Sequence, residues 1–225
     1  MAEGHRSRLR KRFAEEDIDN MPEHVVLEMM LHGVIARQDT SAIARRLLEE
    51  FGNLAQVIDA PIQDLMKVKG MGEISALHLK LIPKFYRRYQ LSKWDKNIIC
   101  NDANIAGDFL VHKLIGYTNE VVVVLCLDSN CKLLNCKTAF EGSINTVHIS
   151  IRKIVEIALS SNASRVIISH NHLSGNALPS SDDLETTRRI HSALNYVGVT
   201  LDDHIIVADD DFVSLAQSGF FIDNM

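Results

Sequence analysis

The sequence predicts an α/β (α+β) protein, an all-α front part followed by a mixed sheet flanked by helices. Two apolar runs, Val121–Leu127 and Val166–Ile168, are continuous rather than alternating, as in strands covered on both faces. Amphipathic segments at 148–160 and 181–197 stand between and after them, the material for helices lying on such a sheet. Up to residue 93 the periodic segments have helical spacing instead.

Taken in order, residues 4–16 form a short basic helix, and Pro22 opens the next one at a favoured first position. That helix runs through Val25, Val26, Leu27 and Met30 to about Leu31, with Gly33 as its stop. Asp39-Thr40-Ser41 caps a helix whose buried side is Ile43, Ala44, Leu47, Leu48 and Phe51, and Gly52 ends it. Short helices follow at 54–58 and 62–68. Leu91 to Lys96 reads as a linker, so the expected domains are 1–93 and 101–225. Asn101-Asp102 caps a helix to about Gly116, after which Glu120 begins the first buried strand. Asp128-Ser129-Asn130 turns it into a second strand, about 132–138, and Phe140 to Asn145 reads as a loop. Residues 199–201 and 204–207 are further strand, and 212–215 an edge.

Composition narrows the class of protein. An apolar fraction of 46% against 24% charged residues describes an ordinary globular chain, and the run 121–127 is far too short to span a bilayer. The arginines near the N-terminus are followed by no apolar run, so no signal peptide is read there, and the expected location is cytoplasmic, with no membrane partner. Residues 1–93 carry +2 (15 basic against 13 acidic) and residues 94–225 carry −7 (9 against 16), which makes the front half the better nucleic-acid candidate. Cys100, Cys126, Cys131 and Cys136 form no Cys-x-x-Cys pair, which argues against a zinc finger or a redox motif. Phosphate-binding and dinucleotide-binding glycine fingerprints are missing too, as is the zinc-deaminase pattern.

The chemistry is concentrated between His170 and Asp183. His170 and His172 stand at i and i+2 on extended chain and so project to one side. Asp183 follows in the first turn of the next helix, three residues after Ser180. Two imidazoles and one carboxylate make three ligands, which leaves the fourth position of a tetrahedral zinc open, as in catalytic rather than structural sites. Ser180-x-x-Asp183 is also an ordinary capping box, and a His-x-His pair alone is a weak signal. The pattern as a whole, in a strand–loop–helix setting, is far more specific.

His170-x-His172-x7-Ser180-x2-Asp183 resembles the signature of the JAMM (MPN+) metalloproteases, and His-Asn-His-Leu-Ser-Gly…Pro-Ser resembles its RadC branch. The resemblance covers nearly the whole chain. It departs at Leu173, where RadC-like proteins usually carry proline, which bears on the stiffness of the loop rather than on a ligand. For residues 101–225 it implies the JAMM/MPN, cytidine-deaminase-like sandwich, one zinc per chain held by His170, His172 and Asp183, and a protein or peptide substrate. It also implies that Ser180 donates a hydrogen bond to the oxyanion. The general base lies in that family at a helix-to-strand junction ahead of the first long strand, and Glu120 matches; Glu141, in the expected loop, is the competing carboxylate. His148, ahead of a helix, is a candidate to support a ligand from behind and His204, on a late strand, a candidate to orient one through a carboxylate; both are left outside the expected ligand set.

In the front half, Val68-Lys69-Gly70-Met71-Gly72-Glu73 has the Gly-x-Gly turn of a helix-hairpin-helix motif. Lys69, Gly70 and Gly72 are its candidate contacts to duplex or branched DNA, with glycines permitting close backbone approach and helix-start amides facing a phosphate. The stretch 23–51 looks like a degenerate first copy, as in RadC proteins. Two functions follow from these readings. The first is a zinc-dependent peptidase or isopeptidase with a DNA-targeting front domain. The second, resting on the association of RadC-like proteins with repair, is a DNA-binding repair or recombination accessory protein whose metal domain is structural or inactive.

Overall fold

The computed structural model describes residues 2–36, 38–95, 97–142 and 150–220, and divides the chain into two compact units, Met1–Tyr86 and Arg87–Met225. This division falls earlier than the boundary expected at residue 93, inside a long helix.

The first unit is helical: α1 (Ala2–Glu15), a 3-10 turn at Ile18–Asn20, α2 (Glu23–His32), α3 (Thr40–Phe51), α4 (Leu54–Asp59), α5 (Ile62–Leu65) and α6, which starts at Glu73 and runs on to Ser92. Asp39 caps α3 by accepting from the amides of Ser41 and Ala42, and Asn53 caps α4 through Gln56. Leu27, Leu31, Ile43, Leu47, Val57, Leu65 and Leu79 interlock as the core, all but Ile43 without measurable exposure. Between α5 and α6, Gly70 takes φ +99°, and a Cβ there would lie 2.8 Å from side-chain carbons of Ile43. Glycine is required at that point by both backbone and packing.

The second unit holds α7 (Ala103–Leu114), β1 (Glu120–Leu127), β2 (Leu133–Gly142), α8 (Ile151–Ser160), β3 (Arg165–Asn171), α9 (Ser181–Tyr196), β4 (Thr200–Ala208) and β5 (Asp211–Ser214). The sheet order is β2-β1-β3-β4-β5; β3 and β4 are parallel, joined over α9, and the other pairs are antiparallel. The mixed α+β architecture expected from the sequence is therefore the one observed. Both faces of β1 are covered. Val121, Val123, Leu125 and Leu127 pack with Ala106, Phe109, Leu110 and Leu114 of α7, while Val124 and Cys126 pack with Ile154 and Ile157 of α8 and Ile190 and Leu194 of α9. This is why the run carries no polar alternation. Trp94 sets its ring edge-on to Phe109 at 5.6 Å and so belongs to the α7 side of the core. No helix among the described residues is long and apolar enough to cross a membrane.

Two details differ from expectation, and both are register steps. Phe140-Glu141-Gly142 is strand rather than loop: β2 carries one extra residue at Ala139, between the pairs Val123↔Thr138 and Val122↔Phe140, and resumes pairing as far as Glu120↔Gly142. The segment 143–149, with His148, lies outside the described residues. On β4 the extra residue is Asp202, between Val166↔Leu201 and Ile167↔Asp203. A one-residue step exchanges the faces of everything beyond it. His204 is thereby turned to the same side as Leu201, the α8/α9 side of the sheet.

Candidate metal centre

His170 is the penultimate residue of β3, and His172 stays extended beyond the strand because its amide donates to the Val207 carbonyl of β4 at 2.8 Å. Both imidazoles consequently emerge on the α9 side, at the carboxyl end of the parallel pair. The loop that follows returns the chain across this end. Gly175 in it has φ +72°. Asn176 accepts from the Leu178 amide with its side chain and from His172 Nδ1 with its carbonyl, at 2.9 Å in each case. His172 therefore carries its ring proton on Nδ1 and turns Nε2 inward.

Ser180 then caps α9, and the reciprocal bonds of a capping box fix Asp183: the Asp183 amide donates to Ser180 Oγ at 3.2 Å, and the Ser180 amide to Asp183 Oδ2 at 2.8 Å. The Ser180 hydroxyl also donates to Oδ2, at 2.6 Å. The result is one convergent set of donors. His170 Nε2 and His172 Nε2 lie 2.9 Å apart, Asp183 Oδ1 is 3.2 Å from the first, and Asp183 Oδ2 is 3.4 Å from the second. Among the described residues this is the one group of three such donors close enough to share an ion. Burial opposes ionisation of Asp183, but the adjacent His170 and His172 imidazoles and the Ser180 hydroxyl hold its carboxyl well below the usual carboxylate range. The hydrogen bond to Asp183 raises His172 above the usual imidazole value against the effect of burial, with further help from the Asn176 carbonyl and the charge of Glu120.

The two candidate bases part by register. Val122 pairs with His170 in the antiparallel β1/β3 ladder, so Glu120, two residues earlier and half-buried, opens on the same face and beside His172. Glu141 pairs with Val121, whose side chain lies on the α7 face; it is exposed and 3.5 Å from Asn119 Nδ2. Where the β1/β3 ladder stops, the Asn171 side chain continues it: its Oδ1 accepts from the buried Val121 amide at 2.7 Å and its Nδ2 donates to the Asn119 carbonyl at 3.0 Å. The residue between the two histidines thus clamps the backbone on either side of Glu120.

Behind His170 lies His204, which touches it directly rather than through a carboxylate. His204, with 1% exposure, places Nε2 at 2.8 Å from His170 Nδ1, and its Nδ1 is 2.6 Å from the hydroxyl of Thr187. Burial, with His170 alongside, pushes His204 well below the usual imidazole range, so the ring is neutral. Thr187 sits one turn after Asp183, and that spacing was the available signal. His204 could not be placed from strand alternation, because the step at Asp202 changes its face.

In the helical unit, Lys69 and Gly72 are exposed and Gly70 is half-buried. The Lys69 carbonyl accepts from Arg46 Nε at 3.0 Å, and the Gly72 amide donates to Ser75 Oγ at 2.9 Å. The depression beside the turn is lined by Arg46, Lys67 and Lys69 but also by Glu49 and Glu50, so its charge is mixed.

Residues 100–220 match the family model of the RadC-like JAB domain. Over nearly the full chain the sequence is similar to UPF0758 proteins. One from Acinetobacter baylyi is 33% identical over 211 residues, 93% of this chain and 78% of the relative. One from Ruegeria pomeroyi is 32% identical over 216 residues, 96% of each. A third, from Shewanella baltica, is 30% identical over 211 residues and 94% of each chain. The donor cluster at the end of β3 lies within the matched residues, and the chain belongs to the RadC family.

Proposed function

We propose that the second unit is a zinc-dependent hydrolase of peptide or isopeptide bonds, and that the helical unit brings it to DNA. The spacing of the three donors carries the metal reading. Ligands about 2.0 Å from a tetrahedral zinc stand about 3.3 Å from one another; the two Nε2 atoms are 2.9 Å apart, Asp183 Oδ1 is 3.2 Å from that of His170 and Oδ2 is 3.4 Å from that of His172, and one ligand atom from each residue lies within 4.8 Å of the others. Two imidazole nitrogens and one carboxylate oxygen also fit the donor set of an open catalytic site.

Zinc held there would activate a water and polarise a substrate carbonyl. The chain's own residues supply the rest. Glu120, on the same face and beside His172, takes the proton of the attacking water and delivers it to the leaving amine. Asn171 holds the backbone that carries Glu120. Ser180 orients Asp183, and its hydroxyl becomes free to donate to a substrate oxyanion when a cation draws on Oδ2. Amide hydrolysis fits this arrangement better than phosphodiester cleavage, for which paired metals are the usual device.

Zinc content and cleavage of a peptide library, with and without chelator, test the reading. Glu120→Gln should retain zinc and lose about 10²–10⁴-fold in turnover; Glu141→Gln should retain both. Wild-type cleavage by both variants would refute the assignment of the base. Zinc binding and DNA binding without any cleavage would leave the accessory-protein reading in its place.

A further inference from the structure

We propose that Thr187 and His204 form a relay that holds His170 in the tautomer protonated on Nδ1, so that Nε2 presents a lone pair to the metal. The proposal rests on the zinc reading above and deepens it by naming two positioning residues, neither of which is a ligand.

Donors and acceptors can be counted along the chain of contacts. The Thr187 hydroxyl has one proton, and it lies 2.6 Å from the Asp183 carbonyl, to which it donates, and 2.6 Å from His204 Nδ1. With its proton on the carbonyl, Oγ1 can only accept, so His204 is protonated on Nδ1. The His204 ring is buried and its contacts are Thr187 and His170 rather than a carboxylate, so it carries one proton; its Nε2 is then an acceptor and receives Nδ1–H of His170 at 2.8 Å. The only site left on His170 without a proton is Nε2, the atom facing His172 and Asp183. His172 reaches the same state by a separate route, through the Asn176 carbonyl. Each inward nitrogen is therefore freed by a hydrogen bond made on the opposite side of its ring, as metal-binding histidines require.

The location supports a dedicated role. Thr187 and His204 have 1% exposure each, so solvent cannot supply either partner. The step at Asp202 is what turns His204 toward α9. The relay also returns to the ligand set, since the carbonyl that accepts the Thr187 proton belongs to Asp183.

Thr187→Val keeps the shape of the side chain and removes the hydroxyl. A proton on His204 Nδ1 would then be buried without an acceptor, and His204 is expected to move it to Nε2 and donate to His170. His170 would in turn carry its proton on Nε2, where the metal should bind. Zinc affinity should fall about 10–100-fold, the usual effect of losing such a partner, and Thr187→Ser should restore it. Long-range proton–nitrogen correlation spectra of the full metal-free chain read the ring tautomers directly. The wild type should show Nδ1–H on both His170 and His204, and Thr187→Val should show Nε2–H on both. Wild-type rings protonated on Nε2, or unchanged tautomers and unchanged zinc affinity in Thr187→Val, would overturn the relay. A wild type that takes up no zinc would instead remove the metal reading, and the ring spectra would still decide the relay.

Discussion

Asn171→Leu separates the support of the candidate base from the donors of the metal centre. The side chain makes two bonds, one from the Val121 amide at 2.7 Å and one to the Asn119 carbonyl at 3.0 Å. Val121 is wholly buried, so water cannot replace the first partner, and an unpaired buried amide costs about 1–3 kcal/mol. Asn119 is half-buried, and its carbonyl can be rehydrated, so losing the second bond costs about 0.5–1.5 kcal/mol. The expected destabilisation is about 1.5–4.5 kcal/mol in the metal-free protein. The single tryptophan, Trp94, packs in the core of this unit, so its fluorescence in a urea titration follows that unit alone. Zinc stoichiometry should stay normal, because Asn171 touches the backbone of β1 and none of the three donors. Turnover should fall further than metal content, by about 10²-fold if Glu120 moves by about 1 Å. A variant as stable as the wild type would refute the clamp. Loss of zinc in step with turnover would show that the two functions of this segment are not separable.

Two further tests address the helical unit and the pH response. Gly70→Ala should destabilise the helical unit by about 1–2 kcal/mol, because its φ is +99° and Ile43 fills the space of the Cβ. Gly72 has neither a left-handed backbone nor a neighbour within 4 Å, so Gly72→Val should fold normally and weaken duplex binding by the full chain; unchanged binding across a salt titration would remove the phosphate grip. In the metal-free protein the His172–Asp183 pair sets the pH response. His172 is raised, so its contribution is complete below about 6.5 and is lost as pH rises through its folded value. Asp183 is lowered, so its contribution is complete above about 3.9 and is lost only in stronger acid. Metal-free stability should therefore gain from this pair between those limits, while zinc affinity should already decline on acidification from above 6.5, where the proton competes for Nε2. His172→Gln should flatten both profiles, and a wild-type profile that rises from pH 6 to 8 relative to the variant would contradict the sign.

Most of the architecture was legible because burial leaves a periodic trace. The unbroken run at β1 foretold a strand covered on both faces, and Asp39, Asn101-Asp102 and Ser180 marked helix starts near those observed. His170 and His172 could be placed on one side of the chain from strand parity alone. The misses share a physical cause. An inserted residue interrupts alternation, so the end of β2 read as loop beyond Ala139, and the side to which His204 turns was hidden by Asp202. Thr187 was missed for another reason: its place one turn after Asp183 points to the site only once the strand facing it is known. Glu120 was preferred to Glu141 on the resemblance; the sheet face on which each lies needed the pairing of β1 with both neighbours, which no local pattern encodes.

The three donors all lie between residues 170 and 183, on one strand, one loop and one helix end. Glu120 and His204 come from strands on either side, dozens of residues away in each direction. Closing this segment demands little chain entropy, and α9 leads almost directly into β4, whereas bringing in β1 demands closing a long loop. The cradle, with β4 beside β3, can thus assemble before β1 is in place. On the proposed function, a nascent or damaged chain that has docked β3 and β4 against α9 without β1 would capture zinc without being able to use it, so metal loading alone would be a poor measure of the active fraction in a preparation.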